Sequence, residues 1–461
     1  MLYLLWIGYR SFTKIKNDSD YLLAGERLGY RLYVPALAAV MIGGGVTFGT
    51  IELSYQYGIS GIWLGLMFSL GFLAFGLILS KKLSKLNVFS VSEMLGKKYG
   101  KSSRFISGGV MIVYDLLIAV NAIIGTGVIL ATLFNINLTT AIIIGGLVVV
   151  AYTVLGGMWA VTLTDVVQFL ILGIGIVILF MPYSVLHIGG ITEVINSVPN
   201  SYLNFGSIGI AKIISLAFLY IFGVMVGQDV WQRAFTAKSE KVMRNGSYLA
   251  GLSMLLYAFA CAVIGIIASI MIPSLTDPQM ALTELIVSIV PTGLIGITFA
   301  AVLAALMSSA SGTLLASSTV MVNDFILPLS NTILKKDYQK KQILLTRVTT
   351  ILISIIAFII ALYLKNILAA LDLAYAVLSG GIFLPVMAAL FWKKVSAKIA
   401  LLSMIVSSSF VIGGIIIEGL SSYNPIIYGL VSGGILMIVG ILVAPNTTIE
   451  PGDIYDEEMK A

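Results

Sequence analysis

Charged residues, cysteine and histidine are scarce in this sequence. Only 10% of its 461 residues are charged and 59% are hydrophobic, and a soluble domain could not cover its surface with so little charge. The single cysteine, Cys261, excludes an internal disulfide bond and a cluster of thiolate metal ligands. The single histidine, His187, disfavours an intramembrane enzyme, because such an enzyme needs histidine, paired acids with metal ligands, or a reactive thiol.

Long apolar runs occupy most of the chain. The stretches 61–80, 141–155 and 166–181 approach or reach the roughly 20 apolar residues that cross about 30 Å of hydrocarbon. The sequence therefore predicts an all-α polytopic membrane protein with about 12 to 13 transmembrane helices. The predicted spans are 33–55, 58–80, 105–134, 138–157, 160–182, 209–231, 246–272, 292–322, 343–364, 369–391, 397–418 and 424–444. Before them, MLYLLWIGY is about half a span without a cleavage site, which indicates a shortened span rather than a signal peptide.

Lysine and arginine are distributed very unevenly over the predicted connections. When alternate connections are assigned to opposite sides, 25 of the 27 basic residues fall on one side, and only Lys212 and Lys365 on the other. By the positive-inside rule the rich side is cytoplasmic. These charges orient the protein and face anionic membrane lipid, so the isoelectric point near 9.1 does not imply a nucleic-acid partner. We expect a multi-pass cell-membrane protein with a cytoplasmic tail at 446–461.

Acidic residues inside the spans are the first functional signal. Each costs on the order of 3 kcal/mol or more at the bilayer centre unless it is paired or hydrated. The spans contain five carboxylates, at Glu52, Asp115, Asp165, Asp229 and Asp372, and basic residues only near their ends. Unpaired acids in this setting point to cations.

A serine-rich segment at 299–325 offers neutral oxygen ligands. Ser317, Ser318 and Thr319 are typical of helix packing, because small residues let backbones approach. Ala305, Ser308 and Ser309 favour a sharper interpretation. Positions three and four apart share a helix face, so the carbonyl of Ala305 is expected beside the two hydroxyls. Such uncharged oxygens suit a weakly bound monovalent cation.

Glycine clusters predict two interrupted helices. Gly43, Gly44 and Gly45 could relax helical backbone angles and free carbonyl oxygens, although close helix packing would also use glycine. Secondary transporters often place a mid-membrane site between two broken helices. A second interruption is therefore expected in the other half, and YIFGVMVGQDVWQR supplies Gly223 and Gly227 there.

Six motifs, taken in order, resemble those of the sodium:solute symporter family over nearly the whole chain. They are DYLLAGERLGY (20–30), MIGGGVTFGT (41–50), LGGMWAVTLTDVVQ (155–168), GQDVWQRAFTAKS (227–239), AALMSSAS (304–311) and LFWKK (390–394). The resemblance implies a secondary active transporter that drives a small organic solute with co-transported sodium by alternating access. A proton-coupled carrier on the same fold, through Asp165 or Asp372, is the alternative, and a channel or an enzyme is less favoured.

The implied fold is the inverted repeat of amino-acid transporters, with two five-helix halves. The expected division is a short N-terminal span and loop at 1–32, a first repeat at 33–182, a connection at 183–208, a second repeat at 209–391, two extra helices at 392–445 and the tail at 446–461.

The family's sodium ligands carry over to five positions of this sequence. They are the carbonyls of Gly43, Val46 and Ala305 and the hydroxyls of Ser308 and Ser309. Some members bind a second sodium, and Asp165 and Ser311 match that pattern. Gly312, however, stands where such members have a further serine, so Asp165 could instead attract sodium along its exit path or cap a local network.

The resemblance also implies a solute site between the two broken helices. Its expected residues are Thr47, Phe48, Tyr220, Phe222, Gly223 and Asp372. Sugar carriers have glutamine in place of Asp372 and tyrosine in place of Gly223, so a glucose-type site is not expected. A choline-type aromatic cage would need aromatic residues where this chain has Met41 and Gly227. Asp372 is expected to pair either with a substrate amine or with a neighbouring helix.

Overall fold

Helices account for nearly all of the described structure. The computed structural model describes residues 22–86, 88–153, 157–330, 341–392, 395–420 and 422–443, so most of the predicted N-terminal span and loop and the whole predicted tail lie outside it. The main helices are α1 (Tyr30–Met41), α2 (Gly44–Tyr57), α3 (Trp63–Ala74), α4 (Val91–Tyr99), α5 (Lys101–Phe134), α6 (Leu138–Thr153), α7 (Gly157–Leu172), α8 (Ile210–Val226), α9 (Gln228–Ala234), α10 (Glu240–Met271), α11 (Ala281–Ile289), α12 (Thr292–Val320), α13 (Gln342–Leu364), α14 (Ile367–Phe391), α15 (Ala397–Glu418) and α16 (Asn424–Val443). Shorter helical turns are Ala24–Glu26, Gly58–Ile62, Phe75–Leu79, Ser80–Leu83, Gly173–Phe180, Met181–His187, Ile191–Asn196, Asn200–Leu203, Pro278–Met280, Met321–Ile326 and Leu327–Leu329. No strand occurs in these residues, where one isolated bridge joins Leu28 to Ala237.

The helices agree with the predicted spans. Within the described part of the chain, nine helical stretches are long and apolar enough to cross a membrane, and the bent pair α8 and α9 makes a tenth. One stretch, Gly44–Leu83, is 40 residues long, about twice what a bilayer needs, and it contains the second half of the predicted span 33–55 and the whole of the span 58–80. The chain turns between them at Gly58, whose φ of 64° favours glycine. Side chains such as Leu77 and Ile417, 73% and 84% exposed, form an apolar outer surface suited to lipid.

Two interrupted helices run through the middle of the bundle in opposite directions. The first is α1 followed by α2, with the break at Ile42 and Gly43. The second is α8 followed by α9, bent by 42° at Gly227. The backbone of Leu28, just before α1, exchanges hydrogen bonds with Thr236 and Lys238, just after α9. The first half of one helix and the second half of the other therefore share one end of the protein, which is the arrangement expected of an inverted repeat.

The two ends of the bundle differ in their contacts. At the end that carries α1, α4 and α9, called here the basic end, Arg104 forms an ion pair of 2.6 Å with the buried Asp324. At the opposite end, the hydroxyl of Tyr202 donates to the backbone of Tyr55, and Trp63 donates to the carbonyl of Phe205. The connection 183–208 therefore covers the last turn of α2 and the first turn of α3 at this end.

Candidate functional site

The break in the first interrupted helix lies directly against Ser309 of α12. Gly43 has extended backbone angles, φ −89° and ψ −169°, which any residue could adopt. Its glycine is required by space instead, because a β-carbon there would lie 2.8 Å from Cβ of Ser309 and would overlap its hydroxyl oxygen. The break was predicted at Gly43, Gly44 and Gly45, but Gly44 and Gly45 already belong to α2 and pack against Leu306 and Leu371.

The predicted cation ligands Ser308 and Ser309 keep oxygen lone pairs after their hydrogens are used. The Ser309 hydroxyl donates to the carbonyl of Val40 at 2.7 Å, and the Ser308 hydroxyl donates to Asp165 at 2.5 Å. A hydroxyl has one hydrogen and two acceptor lone pairs, so both oxygens can still face a cation. Val46 and Ala305 are fully buried on the same two helices. Gly43 thus lies against Ser309, and the other three predicted ligands lie on the adjoining turns. The carbonyl of Gly43 already accepts from the amide of Thr47 at 3.0 Å, so only its second lone pair remains for a cation.

Asp165 is ion-paired, which corrects the expectation that the acids in the spans lack basic partners. Its second oxygen lies 3.0 Å from Nη2 of Arg233, and the two side chains are 0% and 1% exposed. The sequence places Arg233 after the sixth predicted span, in a basic loop. Instead, α9 stays buried in the bundle after the bend at Gly227, and Nε of Arg233 donates to the carbonyl of Ala36.

Ser311, the other predicted residue of the second cation site, does not bond to Asp165. The hydroxyl of Ser311 donates to the carbonyl of Ser308 at 3.2 Å rather than to Asp165. The next residue, Gly312, leaves room for the arginine. A β-carbon on Gly312 would lie 2.8 Å from Nη1 of Arg233 and closer still to Nη2. The guanidinium therefore occupies the space beside Asp165 in which a serine side chain would otherwise project.

Two predicted solute residues, Tyr220 and Asp372, meet at a group of aromatic rings. The Tyr220 hydroxyl donates to the Asp372 carboxylate. The Tyr220 ring stacks on Phe68 with centroids 4.5 Å apart and meets Tyr375 edge-on at 5.1 Å. Tyr114 adds a fourth ring, 5.2 Å from that of Tyr375, and its hydroxyl oxygen lies 3.0 Å from the Tyr375 hydroxyl oxygen. We call Phe68, Tyr114, Tyr220 and Tyr375 the aromatic cluster.

The aromatic cluster lies between the two interrupted helices. The Tyr375 hydroxyl contacts the sulfur of Met41, the last residue of α1. On the other side, a β-carbon on Gly223 of α8 would overlap the Tyr375 ring and lie 2.9 Å from the Ser379 hydroxyl. Gly223 thus lets the ring pack against the helix. In this conformation the Tyr375 ring lies between Met41 of the first interrupted helix and Gly223 of the second, and Gly223 is one of the predicted solute residues.

The remaining predicted solute residues are not all beside this cluster. The Thr47 hydroxyl bonds to that of Tyr257 at 2.9 Å, and Phe48 is 1% exposed in the protein interior. Phe222 stacks on Phe383 with centroids 3.9 Å apart. Phe222 follows Tyr220 by two positions, so it points to a different side of α8.

Sequence reasoning missed Phe68, Tyr114 and Tyr375. Phe68 and Tyr114 lie in spans whose hydrophobic pattern gives no sign of a binding surface. Tyr375 offered one signal, since it follows Asp372 by three positions and therefore shares its helix face.

Other buried acids lack a complete set of partners. Both carboxylate oxygens of Asp115 lack a hydrogen-bond partner in the described structure, as does one oxygen each of Asp229 and Glu52. The other oxygen of Asp229 accepts from the Tyr114 hydroxyl and the amide of Val230. These oxygens lack hydrogen bonds, but Asp115 and Asp229 interact electrostatically with Arg233, and Glu52 with Lys212, so the expectation that the acids lack basic partners is wrong for these residues as well.

Comparison with known proteins gives a consistent answer over the whole chain. A family model described as the sodium:solute symporter family matches residues 21–407. The chain is 26% identical to the high-affinity proline transporter PutP of Bacillus subtilis, covering 99% of this chain and 98% of the relative. It is 25% identical to the sodium/pantothenate symporter of Haemophilus influenzae, covering 84% and 82%. It is 26% identical to the high-affinity choline transporter 1 of Caenorhabditis elegans, covering 81% and 69%.

Solved structures support the same fold. A sodium-coupled sialic acid symporter, solved substrate-bound and outward-open, matches with a TM-score of 0.80 at 20% identity, over 96% of this chain and 95% of that one. The nucleobase-cation-symport-1 family transporter MHP1 in a closed conformation matches with a TM-score of 0.58 at 14% identity, over 96% and 99%. These similarities confirm the five-plus-five inverted-repeat fold. With a family match across most of its length, the chain belongs to the sodium:solute symporter family and is a membrane transporter rather than an enzyme.

Proposed function

We propose that this protein carries a small organic solute inward with sodium by alternating access. The observation that supports it best is the contact between Gly43, at the break of α1 and α2, and Ser309 of α12. The proposed sodium ligands are the carbonyls of Gly43, Val46 and Ala305 and the hydroxyls of Ser308 and Ser309. Sodium is a hard cation, and neutral oxygens bind it weakly enough to release it in each cycle.

Coupling between ion and solute would depend on α2. Gly43 directly precedes that helix, Val46 lies in its first turn, and the proposed solute residues Thr47 and Phe48 follow directly. Sodium bound between α2 and α12 would hold α2 in the orientation that the solute requires. Each ligand would then raise the affinity for the other by the same factor.

One sodium per cycle is the stoichiometry that we favour. Asp165 already has a positive partner in Arg233, and Gly312 provides space for that partner rather than a further hydroxyl. A second sodium at Asp165 and Ser311 would lie against a buried guanidinium. Coulomb repulsion between a sodium ion and the adjacent guanidinium of Arg233, in a medium of low dielectric constant, opposes such binding.

The solute that the site favours contains an amine or ammonium group. Asp372 is buried, its carboxylate accepts a hydrogen bond from the Tyr220 hydroxyl, and the aromatic cluster lies beside it. A carboxylate with several aromatic rings suits a small organic cation or zwitterion. The names of the relatives include a proline and a choline transporter, and both of those solutes carry positively charged nitrogen. The rings must separate to admit the solute.

We further propose that the basic end is cytoplasmic, in a cell membrane, because lysine and arginine concentrate there. The two repeats would then comprise 33–182 and 209–391, with 392–445 as additional helices. Lys212 and Lys365 would face the outside.

The sodium site can be tested before the solute is known. Ser308→Ala and Ser309→Ala are each expected to raise, by about tenfold, the sodium concentration that gives half-maximal thermal stabilisation, because each removes one ligand oxygen. Melting temperatures of purified protein should be measured against sodium chloride, with potassium chloride keeping the ionic strength constant. Ser317→Ala is the matched control, since that hydroxyl donates to Leu314 within the same helix. An unchanged sodium dependence in both variants would refute this site.

The solute class can be tested by thermal screening in the presence of sodium. Amino acids and small amines should stabilise the protein, and sugars and carboxylates without nitrogen should not. Asp372→Asn should abolish the stabilisation by amines, and the stabilisation by sodium in the absence of solute should stay unchanged. Uptake of the solute so identified should then be measured in proteoliposomes. Uptake that persists without sodium but stops when a pH gradient is removed would support proton coupling instead.

A further inference from the structure

The side chain of Lys212 lies between two tyrosine rings at the end of the bundle opposite the basic end. Its ammonium nitrogen is 4.9 Å from the ring centroid of Tyr57 and 4.9 Å from that of Tyr423. Lys212 is near the start of α8, Tyr57 ends α2, and Tyr423 directly precedes α16. Both distances are within the range of cation–π attraction, which extends to about 6 Å.

Two carboxylates complete the surroundings of this ammonium. Glu52 of α2 and Asp372 of α14 are the acids that interact electrostatically with Lys212. Glu52 is 8% exposed, and its Oε2 has no hydrogen-bond partner in the described structure. Tyr423 has a second role, because its hydroxyl interacts with Asp372. Burial, and to a lesser degree the charge of Asp372, raise the pKa of Tyr423, so its ring faces the ammonium as a neutral phenol.

The composition of this group matches that of an ammonium-binding site. Paired aromatic faces with carboxylates nearby recognise alkylammonium groups in general, whether the group belongs to a ligand or to a lysine. Here two carboxylates interact electrostatically with one ammonium, so the group retains a negative charge when both are ionised. An unpartnered and almost fully buried oxygen on Glu52 indicates that one acceptor is still available.

We propose that Lys212 occupies, with its own ammonium, an outer binding site for an organic ammonium ion, and that an incoming solute displaces it. This inference rests on the solute class proposed above. The site is formed by Tyr57, Tyr423, Glu52 and Asp372. It would hold the cationic group of the solute before the aromatic cluster opens.

Displacement requires little rearrangement. Lysine has a flexible four-carbon stem and is partly exposed, so its ammonium can move into water as another cation enters. The entering ammonium meets the same rings and carboxylates, so the interactions lost are largely regained. Lys212 also links α8 to the end of α2, and its release would remove one contact between the two interrupted helices.

The experiment uses tetramethylammonium as the probe and the whole purified protein without sodium. Lys212→Gln is expected to strengthen tetramethylammonium binding, measured by isothermal titration calorimetry, by about tenfold, because the competing ammonium is gone. Adding Tyr423→Leu to that variant should remove the gain. Lys365→Gln is the charge control, since it removes an exposed lysine at the same end of the protein. An equal gain in Lys365→Gln, or no gain in Lys212→Gln, would overturn the inference.

A second measurement needs no variant. Tetramethylammonium should accelerate acetylation of Lys212 by an amine-reactive ester in the wild-type protein, detected by peptide mass spectrometry, and leave the rate at Lys365 unchanged. Equal rates at Lys212 with and without the probe would contradict displacement. Because both measurements omit sodium, they can fail while the sodium site at Ser309 holds. They can also succeed if sodium coupling fails.

Discussion

Replacing Arg233 by leucine is expected to be the most damaging single change in the bundle. Arg233 is 1% exposed and pairs with Asp165, so its removal leaves a buried carboxylate without its cation. Breaking such a pair from one side costs about 3–5 kcal/mol. We expect Arg233→Leu to yield little monodisperse protein in fluorescence-detected size-exclusion chromatography and a strongly reduced melting temperature in whatever is recovered.

The neutral double variant distinguishes charge from shape. Arg233→Gln combined with Asp165→Asn removes both charges and keeps two side chains that can hydrogen-bond. Replacing both members of a buried ion pair is usually far less costly than removing one, so the double variant should recover most of the yield. Equal losses in the single and double variants would show that the ion pair is not the cause.

Replacing Gly43 by alanine is expected to produce the largest loss of sodium affinity. The added carbon would overlap the Ser309 hydroxyl oxygen, so either Ser309 or the break in the helix must move. Both are proposed ligands, and a displaced site should need at least about tenfold more sodium for half-maximal stabilisation. Gly109→Ala in α5 is the matched control, because a β-carbon there meets no atom within 4 Å.

A compensating variant tests whether packing or coordination is responsible. Gly43→Ala with Ser309→Gly makes room for the added carbon but removes the hydroxyl oxygen. We expect this variant to regain the melting temperature in the absence of sodium while its response to sodium stays weak. Recovery of both properties would rule out Ser309 as a ligand.

The sequence predicted those features of the fold that depend on local pattern. Apolar runs located the spans because each helix must satisfy its own backbone hydrogen bonds in lipid. Glycine clusters located both breaks, although among the glycines of these clusters only Gly43 and Gly227 have non-helical backbone angles. At Gly43 the physical reason differed, since the close approach of Ser309, and not backbone freedom, requires glycine.

Features that depend on distant parts of the chain could not be predicted in this way. The sequence around Arg233 resembles the start of a basic loop, and only the bend at Gly227 directs its side chain inward. The aromatic cluster combines Phe68, Tyr114, Tyr220 and Tyr375 from four helices, and no spacing rule relates such positions. The sodium ligands are still a proposal, because they follow from family resemblance and from one close contact.

The pair of Asp165 and Arg233 also bears on how the protein is made. The two residues are 68 positions apart, so α7 is synthesised well before α9. An arginine entering lipid without a partner is costly, whereas one that meets an aspartate already in the membrane is not. The last turn of α9 can therefore complete its insertion only after the first repeat has assembled around Asp165. Biogenesis of the second half would then depend on the first, and a ribosome-bound chain long enough for Arg233 to have left the ribosomal exit tunnel should already contain this ion pair.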